Sequence, residues 1–380
     1  MRIEDDWLAA PPTRAVFGML RDGGHWALAV GGCVRDALLG LPVADIDIAT
    51  DATPERVVAL AEGAGLRAVP TGLAHGTVTV VSAGVPHEVT TFRRDVATDG
   101  RHATVAFSED VREDAGRRDF TINALYAEAD GTVVDPLDGL PDLRARRVRF
   151  IGDPRARIEE DYLRILRFFR FWARFGDPAA GPDAAGLAAC RAMAPGLDRL
   201  SRERVGHEMR RLLAAADPAP AVAAMAEAEV LRRVLPGADA QALLALRRVA
   251  PDAGWLARLA ALGGDPEGLR LSSRERRDLE ALRAAAQGSD GAFALGHVLG
   301  AEHAGEALAL RAARGGEPVT PEALAAARRG AETPFPLAAA DLMPGLRGPA
   351  LGRGLARARA LWLARAGEVS REDLLRAARG

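Results

Sequence analysis

The chain has 380 residues, enough for two to three domains at roughly 100 to 200 residues each and for sizeable buried cores. It is 48% hydrophobic but only 5% aromatic, so the apolar share is mostly Ala, Leu and Val, and its 50 basic and 52 acidic residues leave a formal net charge of −2. No lysine occurs, so every basic residue is an arginine, which excludes the Walker A phosphate loop, the protein-kinase fold and Schiff-base chemistry, each of which needs an ammonium.

Cys33 and Cys190 are the only cysteines, too few for a disulfide scaffold, and the opening MRIEDDWLAAPP is not a cationic apolar leader. No apolar run reaches the roughly 18 residues of a membrane span. These features predict a soluble cytoplasmic protein with no membrane association. The near-neutral total hides an asymmetry: residues 1–139 hold 12 Arg against 22 Asp and Glu, and residues 140–380 hold 38 Arg against 30. An acidic front and a basic rear suit a metal-using catalytic head joined to a polyanion-binding body, although arginine-rich helices are also simply solvated faces.

Along the chain, residues 25–135 read as α/β. Short β-type runs at Trp26–Val30, Asp45–Ala49, Thr77–Val81 and Glu88–Phe92 alternate with Gly/Pro punctuation and with helical stretches such as Thr53–Glu62, where Thr53-Pro54 reads as a cap followed by Pro at the first helical position. After Asp135-Pro136 the text becomes Ala, Leu and Arg at helical spacing, broken at 176–182, 217–220, 262–266 and 315–321. This predicts an all-helical second half in several packets, with no period regular enough for a solenoid.

The first chemical signal is Val30-Gly31-Gly32-Cys33-Val34-Arg35-Asp36, followed by Asp45-Ile46-Asp47-Ile48. On a strand of period two, Asp45 and Asp47 share one face while the isoleucines pack on the other. Two carboxylates that close tolerate each other when a cation intervenes or one pKa rises, and Mg²⁺ prefers such oxygen ligands together with substrate phosphates. The Gly31-Gly32 pair lets backbone amides approach an anion, and a helix starting there, with Arg35 near its beginning, adds a positive pole. Glu88 opens another alternating run and is a candidate third carboxylate, as metal ligand or as acceptor of a hydroxyl proton; an exposed edge-strand Glu is the competing reading.

In Arg117-Arg118-Asp119-Phe120-Thr121-Ile122-Asn123, Asp119 can cap a short helix with Asn123 at i+4 and Arg118 just outside to reach phosphate. Asp with Asn suits a ribose diol, and an ordinary capped helix is the alternative. In Glu159 to Phe171, Asp161, Arg164, Arg167 and Arg170 follow at steps of three along one polar stripe, with Leu163, Leu166 and Phe169 left for the core. An intrahelical ion-pair ladder explains that stripe as well.

The set GGxVRD, DxD, RRDFTINAL and EDxxRxxRxxRF, in this order and spacing, resembles the class II tRNA nucleotidyltransferases, the bacterial CCA-adding enzymes, and their kin among bacterial poly(A) polymerases. The resemblance covers roughly residues 20–215, including Leu200-Ser201-Arg202-Glu203-Arg204 and Glu208, while the remainder is similar only in being helical and basic. It implies an α+β head (1–139) with a DNA polymerase β-like mixed sheet, a helical neck (140–215) carrying a nucleobase-reading helix, and a helical body and tail (216–380) for tRNA.

Carried onto this sequence, the resemblance implies metal ligation by Asp45 and Asp47, triphosphate contacts at Gly32, Arg35 and Arg118, and base reading by Asp161 and Arg164, assisted by Arg167 and Arg170. An Asp acceptor beside an Arg donor matches the amino donor and ring-nitrogen acceptor shared by cytosine and adenine, which uracil and guanine present reversed. The implied reaction is two-metal transfer from CTP and ATP to a tRNA 3′-hydroxyl, with Mg²⁺ as cofactor. No protein partner follows from the sequence.

Among rivals, a poly(A) polymerase typically carries Gly-Arg-Arg-Phe after the Asp pair, where this chain has Thr71-Gly72-Leu73-Ala74-His75-Gly76-Thr77. A CC-only enzyme has a shortened loop, whereas Arg93 to Gly116, with Asp99-Gly100-Arg101-His102, reads as full length. A non-catalytic RNA-binding module is at odds with the intact Asp pair. No His is followed by Asp, so an appended metal-dependent phosphohydrolase is not expected.

Overall fold

Alternation along Thr77–Ser82 and Val85–Thr91 buries Val78, Val80 and Val89 on one face of a sheet and turns every other residue outward. The computed structural model describes residues 1–99 and 102–380, with side chains at all of these except Thr71, Ala74, 95–99 and 102–105. The Asp99-Gly100-Arg101-His102 loop, and Thr71 and Ala74 of the poly(A)-diagnostic stretch, thus lie outside the residues described in full.

The strands are β1 (Leu28–Val30), β2 (Asp47–Thr50), β3 (Arg67–Gly72), β4 (Thr77–Ser82), β5 (Val85–Thr91), β6 (Arg93–Asp99), β7 (His102–Phe107), β8 (Tyr126–Ala127) and β9 (Val133–Val134). Seven of them form one sheet in the order β3-β4-β5-β2-β1-β8-β9, and β6 and β7 pair separately. Only β2 and β5 are parallel, so the sheet is mixed, as expected. The helices Pro11–Asp22 and Pro54–Gly63 pack on its β4 side; Thr53 accepts the Arg56 amide ahead of Pro54, the cap read from the sequence.

Two compact units divide the chain: Met1–Leu200 with Ala228–Val230, and Ser201–Glu227 with Leu231–Gly380. The first contains the sheet, the helices Pro154–Glu160 and Leu163–Phe175, and a ring cluster in which Phe120 lies 4.9 Å from Phe150 and 5.2 Å from Phe171, with Phe150 stacked 5.4 Å from Phe168. Burying such rings contributes roughly 1.5–3 kcal/mol each. The second unit is helical throughout its described elements, with breaks at the Pro/Gly pieces read from the sequence.

With so little aromatic volume, the second unit packs backbone close to backbone. A Cβ added at Gly296, in the helix Ala292–Leu299, would lie 1.8 Å from the Ala327 carbonyl, and one at Gly330, in the helix Pro321–Glu332, 2.0 Å from that of Phe293. Gly296→Ala therefore forces these helices apart and should destabilise the protein by about 2 kcal/mol or more. Gly352→Ala, on an exposed helix face with nothing within 4 Å of the new methyl, should instead stabilise by up to about 1 kcal/mol. Denaturant unfolding of the two variants reads both signs.

Candidate active site

The chain leaves β1 through Gly31, whose φ of +74° and ψ of −117° suit glycine alone. Its amide donates to the Leu125 carbonyl (3.0 Å), and the helix Gly32–Leu38 begins at once. As at any helix start, the first amides of that turn lack an intrahelical acceptor. A Cβ on Gly31 would meet Arg118 Nη1 at 3.2 Å, so the missing side chain lets the guanidinium lie over the turn. Arg35, 6% exposed, is paired with Asp36 (2.7 Å), donates to Asn123 Oδ1, and has its guanidinium carbon 4.0 Å from the Phe175 ring centre.

Asp47 stands opposite Glu88 in the parallel β2–β5 register, so the two side chains share one sheet face. Asp45 precedes β2 and is exposed; the expected strand is shorter than predicted because pairing starts only at Ile46, whose carbonyl accepts the Glu88 amide (3.3 Å). Burial pushes the Asp47 carboxyl up to about 6, with Glu88 and Asp45 adding to the shift and Arg118 opposing it. Among the described residues no three His, Cys, Asp or Glu side chains cluster closely enough to hold a metal by themselves. Crowded, oxygen-only carboxylates with an incomplete shell fit a hard divalent cation that takes its remaining ligands from water or phosphate.

Behind them lies a second set of charges. Asp114, 1% exposed, receives Arg117 Nη2 (2.8 Å), Arg118 Nη2 (3.1 Å) and the Tyr126 hydroxyl (2.7 Å), while Arg118 Nε donates to the Tyr126 oxygen (3.3 Å). Burial alone would raise the Asp114 carboxyl, but Arg118 and Arg117 outweigh it and hold it below its usual range. Asp119 accepts from its neighbour Phe120 N (2.9 Å) and from Asn123 Nδ2 (2.9 Å) through Oδ1, and from Arg167 Nε (2.7 Å) through Oδ2. Its carboxyl, which burial would raise, is likewise held low, chiefly by Arg167. Asp119 does not cap a helix as expected: the element that follows is a single 3-10 turn, Thr121–Asn123, whose cap position is Phe120 with no side-chain cap, and Ala124 leaves helical geometry.

The stripe from Asp161 to Arg170 does not lie on one helix. Asp161 is extended (φ −156°, ψ 107°) and ends Pro154–Glu160, and its Oδ1 accepts the Leu163 amide (3.1 Å) to start Leu163–Phe175. A side chain serving as a start signal competes with helix continuation, which is why the chain breaks there. Arg164 pairs with Glu160 and donates to the carbonyls of Arg157 (2.8 Å) and Arg117 (3.1 Å). Arg167 reaches Asp119, and Arg170 is 4% exposed with its guanidinium carbon 4.4 Å from the Phe171 ring centre. Leu163, Leu166 and Phe169 are buried as expected.

Gly31, Gly32, Arg35, Arg118, Asp119, Asn123 and Arg167 thus join one connected set, and Asp45, Asp47 and Glu88 another that Arg118 influences electrostatically. Sequence reading passed over Asp114, Tyr126 and Glu160. The spacings Asp114–Arg118 and Glu160–Arg164, each i to i+4, carried a signal for two of them. Tyr126 is brought in by β8 pairing and had none.

Residues 27–149 match the family described as the Poly A polymerase head domain, and residues 183–241 match a probable RNA and SrmB-binding site of polymerase A. The chain is 44% identical over 190 residues to the human mitochondrial CCA tRNA nucleotidyltransferase 1, an alignment of 50% of this chain and 44% of that protein. It is 38% identical over 256 residues to the CCA-adding enzyme of Geobacillus thermodenitrificans, covering 66% of this chain and 59% of the relative. The chain thus spans about half the length of the curated relatives it matches. The crystal structure of the Bacillus stearothermophilus CCA-adding enzyme in complex with CTP superposes with a TM-score of 0.73 at 29% identity, covering 96% of this chain and 95% of that one.

A carboxyl whose pKa is depressed on folding stabilises the protein above its unfolded pKa, near 4, and loses that contribution as pH falls through the folded value. Asp114→Asn should therefore cost about 2–4 kcal/mol at neutral pH by leaving two arginines without their buried partner. The gap from the unsubstituted protein should close as pH drops below about 4, and unfolding curves at several pH values measure it.

Proposed function

We propose that this chain, a member of the poly(A) polymerase family to which the class II tRNA nucleotidyltransferases belong, is a template-independent RNA nucleotidyltransferase that adds C, C and A to the 3′ end of tRNA from CTP and ATP in the cytoplasm. The observation that carries this reading is the juxtaposition of the Asp47–Glu88 pair, the Gly31 turn and the Arg118 guanidinium. Triphosphate chemistry needs carboxylates for cations and a backbone cradle with a fixed positive charge for the leaving group, side by side.

Asp45 and Asp47 would hold the divalent cations, Mg²⁺ by the chemistry of the donor set. Bound there, such ions supply charge neutralisation at the attacking 3′-hydroxyl and at the triphosphate during in-line displacement of pyrophosphate. Gly32 and Arg118 receive the phosphates, Gly31 allowing the close approach because it has no side chain, with Arg35 behind them. Glu88 shares the face of Asp47 and is available to accept the hydroxyl proton. Asp119 and Asn123 offer an acceptor and a two-way partner to the ribose diol. Asp161 and Arg164 read the base edge, Arg164 exchanging its Glu160 contact for the ring nitrogen, assisted by Arg167 and Arg170. The helical neck (140–215), body and tail (216–380) hold tRNA by phosphate contacts and shape, since A-form grooves offer little sequence to read.

A poly(A) polymerase is the second reading, favoured by the description of the head family; incorporation with each nucleotide separately on tRNA lacking its 3′ end decides between them. Addition of C, C and A and then arrest is the expected result, and continued A addition supports the rival. Asp45→Ala or Asp47→Ala should abolish addition of both C and A while tRNA binding stays nearly intact. Asp161→Ala should admit UTP or GTP; an unchanged nucleotide preference with normal turnover would reduce Asp161 and Arg164 to helix-terminal ion pairing.

A further inference from the structure

Arg118 has five N–H donors on a guanidinium that its three-carbon stem would otherwise let swing. Two of its three nitrogens are committed: Nη2 to Asp114 Oδ2 at 3.1 Å and Nε to the Tyr126 hydroxyl at 3.3 Å. The same hydroxyl donates to Asp114 Oδ2 at 2.7 Å, so Tyr126, Asp114 and Arg118 close a three-membered ring of hydrogen bonds. Its guanidinium carbon lies 5.4 Å from the Tyr126 ring centre. The remaining nitrogen, Nη1, makes no hydrogen bond among the described residues and is the atom 3.2 Å from the point a Gly31 Cβ would occupy. Tyr126 pairs in register with Val30, the residue before that turn, so the strand that carries the hydroxyl also lies beside the strand that delivers the glycine.

We propose that Tyr126 is a positioning residue of this site: together with Asp114 it locks the Arg118 guanidinium so that Nη1 is presented to the nucleotide's triphosphate over the Gly31 turn. The proposal rests on the assignment of Arg118 to the triphosphate made above. A phenylalanine would fill the same fully buried volume; what the hydroxyl adds is one donor and one acceptor, and both are spent on aiming Arg118. Pre-ordering a charged side chain spares the ordering cost at the moment the anion binds.

Tyr126→Phe removes one oxygen from a packed ring and keeps its shape. It should raise KM for CTP and for ATP alike, by about tenfold, the worth of one hydrogen bond to a charged group, and leave kcat within about twofold, the pattern of lost uniform binding. Equilibrium affinity for CMP, which lacks the β- and γ-phosphates, should stay unchanged. Asp114→Asn should give the same split between CTP and CMP, and adding Tyr126→Phe to Arg118→Ala should change nothing further. An unchanged CTP KM in Tyr126→Phe, an equal rise with CMP, or an equal rise in the Arg118→Ala background would overturn the positioning role while leaving the Arg118 assignment standing. If Arg118→Ala alone leaves the CTP KM unaltered, that assignment fails first and the positioning role falls with it.

Discussion

Charge removed from water is the constraint on which the head is built. Arg35, Asp36, Asp114, Asp119 and Asn123 are all under 10% exposed, and a buried ion without a partner costs several kcal/mol. Each is therefore tied to another, and two of the ties connect pieces distant in sequence, Arg35 to Asn123 and Asp119 to Arg167, joined through the local Asn123–Asp119 bond. Replacing such a net by apolar residues of equal volume need not weaken the fold. What the net adds is a single allowed placement of the glycine turn, the 117–123 segment and the helix Leu163–Phe175. The neighbouring Phe120, Phe150, Phe168 and Phe171 cluster supplies the burial that offsets the net's desolvation.

The compensation is uneven. Asp114 and Asp119 meet guanidiniums directly and are held below the ordinary carboxylate range, whereas Asp47 has Glu88 and Asp45 for neighbours and is pushed to about 6. Among the described residues only Arg118 works in the opposite direction on Asp47, and its hydrogen bonds already go to Asp114 and Tyr126. The deficit of positive charge is thus localised on one sheet face, beside a helix start whose first amides lack intrahelical acceptors. Under the proposed function, a cation bringing its own phosphate ligands would remove both imbalances at once, its charge satisfying the carboxylates and its phosphates the amides and Arg118 Nη1.

The glycine pair and the Asp-x-Asp were legible in the sequence because their chemistry is written in adjacent residues. The helical second half was legible from its period and its Pro/Gly breaks. Less could be read where pairing partners are remote. β3 contains Pro70 and Gly72, β6 opens Arg-Arg-Asp without apolar alternation, and β8 and β9 have two residues each, so none carries a strand period. Tyr126 acquires its role only by lying next to Val30 across the sheet. The break at Asp161 was hidden because the i+3 spacing of Arg164, Arg167 and Arg170 reads straight through it, and a side chain capping its own downstream helix leaves no mark on that period.

The charge asymmetry between front and rear also changes meaning once the helices are in place. Arg258, 7% exposed, donates to the carbonyls of Leu213, Ala215, Ala216 and Pro251, closing the end of the helix Arg202–Leu213. Arg311 does the same for Ala285 and Asp290, Arg357 for Ala377 and Ala378, and Arg283 for Gly263. Arg247 and Arg210 are paired with Asp217 and Glu275. A planar fork of five donors closes helix ends that an ammonium could not reach with one geometry, so in an Ala-rich unit poor in rings the arginines serve as internal struts. The positive charge available to phosphates in the rear is accordingly smaller than the sequence count, and it resides on arginines not committed to carbonyls. If the rear holds tRNA as proposed, the salt dependence of that binding should follow the exposed subset, with each phosphate contact contributing a slope of about −0.7 to −0.9 in log K against log salt.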